Sequence, residues 1–342
     1  MNTHPTSPKR HRVTALALAL GFAGLGMAQA EDAAPGWLLV TNKADQTLSI
    51  VDPATNKQIA TMPEGGNTCH ELVATPDGKR AFMPIYGDAG VGKPGSNGQL
   101  IRVVDVAKRE ITDTIDFGRG VRPHCAVYNQ KTNLLYVTTE IENTVSIIDP
   151  ATLKIVGTIP TGEPESHMLA VTRDGKRGYT ANVSTGTVSV LDLEQKKLVK
   201  TIPVAGKTQR ISLSVDDRWV FTSDQTKAQL IVIDTQTNEV ANRIDIPDFG
   251  YGTAPTPDGK SLLVCCGLGT VAVVDLEAKK VVREFQLPRA PQEILIRPDG
   301  AMAYVSCDFS SKVGVIDLKK WELVTLIEVG KNADGLAWAK AQ

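Results

Sequence analysis

The chain lacks both a hydrophobic run long enough to cross a membrane and an excess of positive charge. Its longest apolar run, from Val13 to Met27, takes about 15 of the 342 residues, whereas a spanning helix needs ~20. Lys and Arg together number 37 against 38 Asp and Glu, a balance that argues against a strongly basic nucleic-acid-binding protein. Hydrophobic residues make up 42% of the chain, too many for a disordered tail. We therefore expect a folded domain with no membrane span and no nucleic-acid partner.

Several motifs that point to a particular chemistry are also missing. The sequence contains no Cys-x-x-Cys-His, which excludes covalent haem attachment. It contains no Gly-x-Ser-x-Gly elbow, which argues against a serine hydrolase. No segment shows a sustained period of 3.6 residues, so the pattern does not favour a helical protein.

Residues 1–30 have the pattern of a secretory signal peptide. Three basic side chains within the first twelve residues precede the apolar run, and Ala28-Gln29-Ala30 forms a small-x-small cleavage site. Cleavage there leaves 34 basic and 38 acidic residues, a net charge of −4. The sequence predicts a signal peptide over 1–30, a mature domain over 31–342, and a periplasmic or secreted location.

A motif of two hydrophobic residues followed by Asp recurs along the whole mature chain. It ends at Asp52, Asp105, Asp149, Asp192, Asp234, Asp275 and Asp317. The spacings of 53, 44, 43, 42, 41 and 42 residues define seven units, one of them with an insertion. Each unit contains four short β-branched runs separated by turn residues. The pattern predicts an all-β protein, a seven-bladed β-propeller with four antiparallel strands per blade.

The two ends of the chain predict how the ring closes. The first unit begins at Trp37 with a second-type strand and lacks the strand that should precede it. A matching innermost strand is found at the other end of the chain, from Ala333 to Trp338. We expect this C-terminal strand to complete the first blade and close the ring.

The strand motifs resemble those of a known family. Tyr136-Val137-Thr138, Val40-Thr41-Asn42 and the run Thr144-Val145-Ser146-Ile147-Ile148-Asp149 are similar to the repeats of the YVTN-repeat seven-bladed propellers of bacterial periplasms and cell surfaces. The resemblance covers the mature chain and implies the same fold. It implies no particular function, because the motif residues are structural and members of the family do unrelated things.

Three of the five histidines occupy one register. Aligning the second strands of the units places His70, His124 and His167 at the same position in three consecutive units. The other four units have different polar residues at this position, namely Gln209, Tyr251, Gln292 and Asp334. The position starts the innermost strand, so we expect a ring of polar side chains at the mouth of the central channel.

Three imidazoles that converge on one axis indicate a transition-metal site. Imidazole is the commonest protein ligand for Zn, Cu and Fe, and three nitrogens leave positions open for a ligand. The sequence predicts that His70, His124 and His167 bind Cu, Fe or Zn. The protein would then be a metal-dependent, oxidoreductase-type enzyme acting on a small molecule.

The neighbours of the histidines supply the other candidate residues. We expect Gln209 and Gln292 to bind the cofactor or substrate. We expect four residues to bind or protonate the substrate, namely Tyr251, Asp334, Glu71 and Arg210. Three further charged residues could orient an imidazole or bind an anion, namely Arg122, Glu165 and Glu293.

Two other functions stay open at this point. In a metal-free ring, the histidines would serve a haem or other organic ligand, or act as acid–base groups. Haem-binding propellers of periplasmic nitrite reduction and propeller lyases and lactonases are similar in this respect. In a non-catalytic scaffold, the face that carries the histidines would bind a protein partner.

The single long insertion, residues 86–98, joins the second and third strands of the second unit. It has five Gly and one Pro in thirteen residues, and it emerges on the same face as the histidines. It could be a lid that touches a ligand through Tyr86, Asp88 or Lys93, or a tolerated surface loop.

The chain has five cysteines, an odd number for an exported protein. Cys69 and Cys125 precede and follow two of the predicted ligands, and they could be metal ligands, a disulfide pair or small buried side chains. Cys266 and Cys307 share a register in adjacent units, and we expect both in the core.

Overall fold

The computed structural model describes residues 1–2 and 35–341 of the chain. Within these residues the strands form seven four-stranded antiparallel sheets, so the predicted seven-bladed β-propeller is confirmed. The propeller belongs to the compact unit Ala33–Gln342. Of the predicted signal peptide only residues 1 and 2 are described, and it stays a prediction. No helix among the described residues is both long and apolar enough to span a bilayer.

The blades follow one another along the chain, and their strands run from the channel outward. Blade 1 contains β28 (Ala333–Lys340), β1 (Gly36–Asn42), β2 (Thr47–Asp52) and β3 (Lys57–Pro63). Blade 2 contains β4 (Val73–Ala74), β5 (Arg80–Ile85), β6 (Leu100–Asp105) and β7 (Glu110–Asp116). Blade 3 contains β8 (Pro123–Asn129), β9 (Leu134–Thr139), β10 (Thr144–Asp149) and β11 (Lys154–Pro160). Blade 4 contains β12 (Ser166–Val171), β13 (Arg177–Asn182), β14 (Thr187–Asp192) and β15 (Lys197–Pro203).

The remaining three blades have the same order. Blade 5 contains β16 (Ile211–Leu213), β17 (Trp219–Asp224), β18 (Gln229–Asp234) and β19 (Glu239–Asp245). Blade 6 contains β20 (Gly250–Pro255), β21 (Ser261–Cys266), β22 (Thr270–Asp275) and β23 (Lys280–Gln286). Blade 7 contains β24 (Pro291–Ile296), β25 (Met302–Cys307), β26 (Lys312–Asp317) and β27 (Glu322–Glu328). Short 3₁₀ helices, Glu140–Glu142 and Asp308–Ser310, follow β9 and β25.

The repeated Asp is a turn residue. In every blade the carboxylate that ends the third strand accepts a hydrogen bond of 2.7–3.0 Å from a backbone N–H two or three residues later. Asp149, for example, bonds to the N–H of Ala151 at 2.8 Å. This Asx turn starts the connection to the fourth strand. The motif that revealed the repeat therefore serves the fold.

The core lies between the blades. The middle strands are buried on both faces, as in β10, whose central four residues are all buried. Their β-branched side chains suit such a strand. Neighbouring blades share these clusters: Leu39 and Ile50 of blade 1, for example, pack with Met83 and Val104 of blade 2.

The ring is closed by the C-terminal strand, as predicted. The innermost strands of neighbouring blades contact one another in a complete cycle. Strand β28 pairs with β1 from Gly36↔Lys340 through Leu38↔Trp338 to Val40↔Leu336. Without it, β1 would expose an unpaired edge next to the channel.

Removal of β28 tests this closure. A chain that stops at residue 332 should lose the single cooperative urea transition, because β1 then has no partner on its channel side. Circular dichroism as a function of urea would measure this, with a chain lacking only residues 341–342 as the control. An unchanged midpoint in the shorter chain would contradict the role of β28 in closure.

Candidate functional site

In six of the seven blades the predicted ring position lies inside a β-bulge near the start of the innermost strand. In blade 3, Pro123 pairs with Thr139 and Ala126 pairs with Val137, so the innermost strand has one extra residue between these pairs. The same extra residue occurs in blades 1, 2, 4, 6 and 7. Blade 5 differs, because β16 begins only after Gln209. A bulge bends its strand and re-aims its side chains, and here it contains the ring residue.

The threonine of the Val-Thr motif holds the bulge in place. Thr138 accepts a hydrogen bond from the N–H of Cys125 at 3.0 Å and donates one to the carbonyl of His167 at 2.8 Å. The first bond satisfies an N–H that the strand ladder leaves without a partner. The second bond links blade 3 to the ring residue of blade 4. One hydroxyl thus fixes the backbone on both sides of a blade boundary.

Thr41 makes the same two bonds at the closing blade. It accepts from the N–H of Gly335 at 2.8 Å and donates to the carbonyl of His70 at 2.8 Å. Gly335 is needed here for close approach, since a Cβ on it would lie 2.5 Å from that same carbonyl oxygen. The position of His70 therefore depends on the strand that closes the ring.

The structure brings the three predicted histidines into contact. The rings of His124 and His167 are stacked, with centroids 3.6 Å apart and planes at 30°. The ring of His70 stands edge-on to His124 at 5.3 Å. His124 and His167 are 2% exposed, and His70 is half-buried. The shared register of the sequence is thus a real cluster of imidazoles.

A buried carboxylate, Glu140, completes the cluster. Its Oε2 accepts a hydrogen bond from the hydroxyl of Tyr86 at 2.6 Å and lies 3.2 Å from Nδ1 of His167. Its Oε1 lies 3.3 Å from Nη1 of Arg122. A carboxylate at this distance orients the imidazole of His167 through Nδ1.

Burial controls the charge of two histidines. It lowers the pKa of His70 to about 3, and it lowers the pKa of His124 well below its usual value, with a further contribution from nearby His167. Both are therefore neutral at pH 7, the form that binds metal ions. Burial alone would raise the pKa of Glu140, but hydrogen bonds from His167 and Tyr86 lower it to about 2.

Arg210 forms an ion cluster that includes the ring residue Asp334. Its Nη2 lies 2.6 Å from Oε1 of Glu71 and 2.7 Å from Oδ1 of Asp334, and its Nη1 lies 3.9 Å from Oε2 of Glu293. Lys43 lies 3.0 Å from the other oxygen of Asp334. Burial would raise the pKa of Asp334, yet Lys43 and Arg210 lower it to about 2. Since these residues come from blades 1, 2, 5 and 7, the cluster spans the channel.

Three predicted site residues make contacts away from the histidines. Gln209 accepts a hydrogen bond from Gln225 at 3.0 Å. The ring of Tyr251 stands 5.7 Å from that of Phe249 and packs on the core of blades 6 and 7. Gln292 is half-buried in β24. Their roles stay predictions.

The cysteines are free and buried. Cys69 donates to the carbonyl of Glu71 at 3.1 Å, and burial raises the pKa of its thiol well above the usual value. Burial likewise raises the pKa of Cys125 to about 12. Of the three interpretations of this pair, small buried side chains fit best. Cys266 and Cys307 lie in the core, as expected.

The histidines do not form a ready-made ligand set. Within the described part of the chain, no group of three or more His, Cys, Asp or Glu side chains is arranged to hold a metal ion. A metal lies in the plane of each imidazole that binds it, so two stacked rings do not direct both lone pairs at one point. Nδ1 of His124 is buried without a hydrogen-bond partner, and it is therefore available as a ligand.

Glu140 was missed by sequence reasoning. It is the first residue after the second strand of its blade. The seven residues at this position are Lys43, Tyr86, Glu140, Val183, Gln225, Gly267 and Asp308. They form a second ring, whose members contact the first ring, as Glu140 contacts His167 and Gln225 contacts Gln209. This register was readable in the sequence, but its residue types vary too much to attract notice.

Glu64 supports the segment that leads to His70. Its side chain is fully buried, and its Oε1 accepts a hydrogen bond from the N–H of Cys69 at 2.8 Å. Its Oε2 is buried without a hydrogen-bond partner. Burial raises the pKa of Glu64 to about 7. Burial thus favours the neutral acid over the carboxylate.

Substitution of Thr138 tests the bond between blades. Thr138→Val keeps the shape but removes both hydrogen bonds, so the free energy of unfolding should fall by about 1–3 kcal/mol. Thr138→Ser keeps the hydroxyl and should cost much less. Urea denaturation would measure both variants. Equal stability of Thr138→Val and the wild type would contradict the role of this hydroxyl.

The stability of the protein should depend on the ionisation of Glu64. Because its folded pKa is raised, its contribution is complete below about pH 4.5 and is lost as the pH rises towards 7. Glu64→Gln should remove this loss, which is on the order of 1–3 kcal/mol. Urea denaturation at pH 5 and pH 8 would measure it, with the exposed Glu322→Gln as the control. The same pH dependence in Glu64→Gln as in the wild type would count against the assignment.

The chain is similar in sequence to several known proteins. A family model described as the cytochrome D1 heme domain matches residues 128–257. Antigen Lp49 of Leptospira interrogans is 24% identical over 247 residues, 66% of this chain and 53% of that protein. The uncharacterized protein YncE of Salmonella typhi is 27% identical over 214 residues, 60% of this chain and 58% of that protein. The seven-bladed beta-propeller protein Rv1057 of Mycobacterium tuberculosis is 27% identical over 240 residues, 61% and 56% respectively. The chain thus spans a little over half the length of these relatives.

Two solved structures are similar in fold. Hydrazine synthase of Kuenenia stuttgartiensis has a TM-score of 0.66 at 17% identity, over 79% of this chain and 89% of that one. The dihydro-heme d1 dehydrogenase NirN in complex with DHE has a TM-score of 0.64 at 13% identity, over 88% of this chain and 74% of that one. At these identities the likeness establishes the fold alone. The chain is a seven-bladed β-propeller, and its repeats and relatives are consistent with the YVTN-repeat family.

Proposed function

We propose that this protein binds a Cu, Fe or Zn ion through His70, His124 and His167 at the mouth of its channel. The observation that carries the proposal is the contact between the three imidazoles, at ring distances of 3.6 and 5.3 Å. The lowered pKa values of His70 and His124 supply neutral nitrogens. Three neutral imidazoles are a common ligand set for these ions.

The donor chemistry fits a metal ion, and one change of side-chain conformation is required. His167 has a carboxylate on Nδ1, which is the usual arrangement behind a metal-binding imidazole. Nδ1 of His124 has no hydrogen-bond partner, so metal binding at this atom would break no hydrogen bond. The stacked rings of His124 and His167 must turn relative to each other before both can bind one ion.

We infer that the bound ion serves an oxidoreductase-type enzyme acting on a small molecule in the periplasm. The ion would supply Lewis-acid or one-electron chemistry. The chain itself would orient His167 through Glu140 and hold Glu71 and Asp334 in place through Arg210. Gln209, Tyr251 and Gln292, on the other side of the ring, would contact the small molecule. The periplasmic location rests on the signal-like pattern of residues 1–30.

A haem-type tetrapyrrole is the second candidate ligand. The match of residues 128–257 to the cytochrome D1 heme domain favours it, and so does the fold similarity to NirN in complex with DHE. A haem-type macrocycle needs an axial imidazole that is accessible from solvent. His124 and His167 are 2% exposed, so the half-buried His70 is the better axial ligand of the three. The burial of the other two places this candidate second.

Metal analysis of the purified protein tests the proposal. The wild type should contain close to one Cu, Fe or Zn per chain, after reconstitution if necessary. A variant with His70→Ala, His124→Ala and His167→Ala should lose it. The matched control changes Gln209, Tyr251 and Gln292 to Ala, the same register in the blades without histidine, and should keep it. Absence of metal from the reconstituted wild type would overturn the proposal. A haem absorption band that depends on His70 alone would establish the second candidate instead.

A further inference from the structure

The insertion of blade 2 is held over the histidines by two buried residues of blade 3. Glu140 accepts from Tyr86 at 2.6 Å at the start of the insertion, and its other oxygen lies 3.3 Å from the N–H of Gly92 in the middle. Arg122 donates to the side chain of Asn97 at 2.7 Å and to the carbonyl of Lys93 at 2.8 Å. Glu140 is 3% and Arg122 4% exposed. The insertion is therefore fixed along its length and is no free surface loop.

The insertion covers the histidines through one aromatic ring. Tyr86 is completely buried. Its ring centroid lies 4.8 Å from that of His70, 5.2 Å from that of His124 and 6.0 Å from that of His167. A ligand that approaches the imidazoles from this side must first displace the tyrosine.

Glu140 connects this cover to the histidines. The same Oε2 atom accepts the hydroxyl of Tyr86 and faces Nδ1 of His167. A change in the orientation of His167 therefore changes the environment of the bond that holds Tyr86. The reverse also holds, because coupling between two events is reciprocal.

We propose that Glu140 is a positioning residue that couples closure of the 86–98 insertion over the site to the orientation of His167. Access to the imidazoles then requires release of Tyr86, and a ligand bound to His167 favours the closed insertion. The effect of a bound ligand on the insertion rests on the proposed metal binding. The need to release Tyr86 before the imidazoles become accessible does not.

The glycines of the insertion suit a segment that is folded back tightly over the site. Gly87 and Gly92 have positive φ angles of 114° and 63°, a backbone conformation that glycine adopts without strain. At the other end, a Cβ on Gly98 would collide with the carbonyl of Ile85. Glycines near both ends therefore allow the segment to fold back tightly on the strands that it joins.

Chemical modification tests access without any metal. Diethyl pyrocarbonate reacts with exposed imidazoles, and peptide mass analysis gives the rate at each of the three histidines in the full-length protein. Tyr86→Phe and Glu140→Gln should raise these rates on the order of tenfold, because each removes part of the closed state. Asp308→Asn is the matched control. Asp308 has the same register in blade 7 and is also buried, but it pairs with Lys43 of blade 1.

The outcomes separate a cover from a general loss of stability. Raised rates in Tyr86→Phe and Glu140→Gln with an unchanged rate in Asp308→Asn would support the proposal. Wild-type rates in the first two variants, or an equal rise in all three, would overturn it.

Copper binding tests the coupling. In the wild type, Cu²⁺ should slow hydrogen exchange of the amides of 86–98, and Glu140→Gln should abolish this protection. The same variant should weaken Cu²⁺ binding about 10–100-fold and shift the visible absorption of the copper, since the partner of a ligand imidazole tunes its basicity. Asp308→Asn should change neither the exchange protection nor the binding and absorption of the copper.

Copper binding that leaves hydrogen exchange of the insertion unchanged would refute the coupling and leave the metal site standing. A wild type that binds no copper, zinc or iron would refute the metal site and the coupling together, while the modification rates would still decide the cover.

Discussion

A threonine hydroxyl between two blades fixes the place of two of the three histidines, His70 and His167. It accepts a bulged N–H from its own blade and donates to the backbone of the ring residue in the next blade, as Thr138 does for Cys125 and His167. A bulge gains an unpaired N–H together with its extra residue, so it needs such a partner. The feature that turns the ring residues towards the channel therefore depends on the strand motif of the repeat. Because Thr41 uses the same bonds at the closing blade, the site also depends on the pairing of β28 with β1.

The channel mouth is divided into two electrostatically different halves. One half holds the histidines with Tyr86 and the ionised Glu140. The other half holds Arg210 and Lys43 among several carboxylates. Burial makes each unpaired charge costly, so nearly every charge in both halves has an opposite partner at 2.6–3.4 Å. The carboxylates that pair with Arg210 balance its positive charge near His70. His70 itself is neutral. The repeat thus gives the blades a common backbone, and the side chains make the two halves of the channel mouth different.

The fold and the ring register could be predicted because both depend on features that repeat. The Asp turns fix the length of the repeat. The ring residue lies at the same distance before the second strand in each of blades 2 to 7. The environment of each ring residue could not be predicted. Gln209 has the same register as His167, but β16 begins after it and lacks the bulge. The role of Glu140 cannot be predicted from the repeat, because its position holds a different residue in each blade. Its contacts also join blades 2, 3 and 4. Arg210 and Glu71 lie 139 positions apart in the sequence, and only the circular arrangement of blades brings them together.

The ion cluster around Arg210 links four blades across the channel. Arg210 of blade 5 lies 2.6 Å from Glu71 of blade 2, 2.7 Å from Asp334 of blade 1 and 3.9 Å from Glu293 of blade 7. Because one guanidinium serves carboxylates of three other blades, loss of its charge would act on all four blades at once.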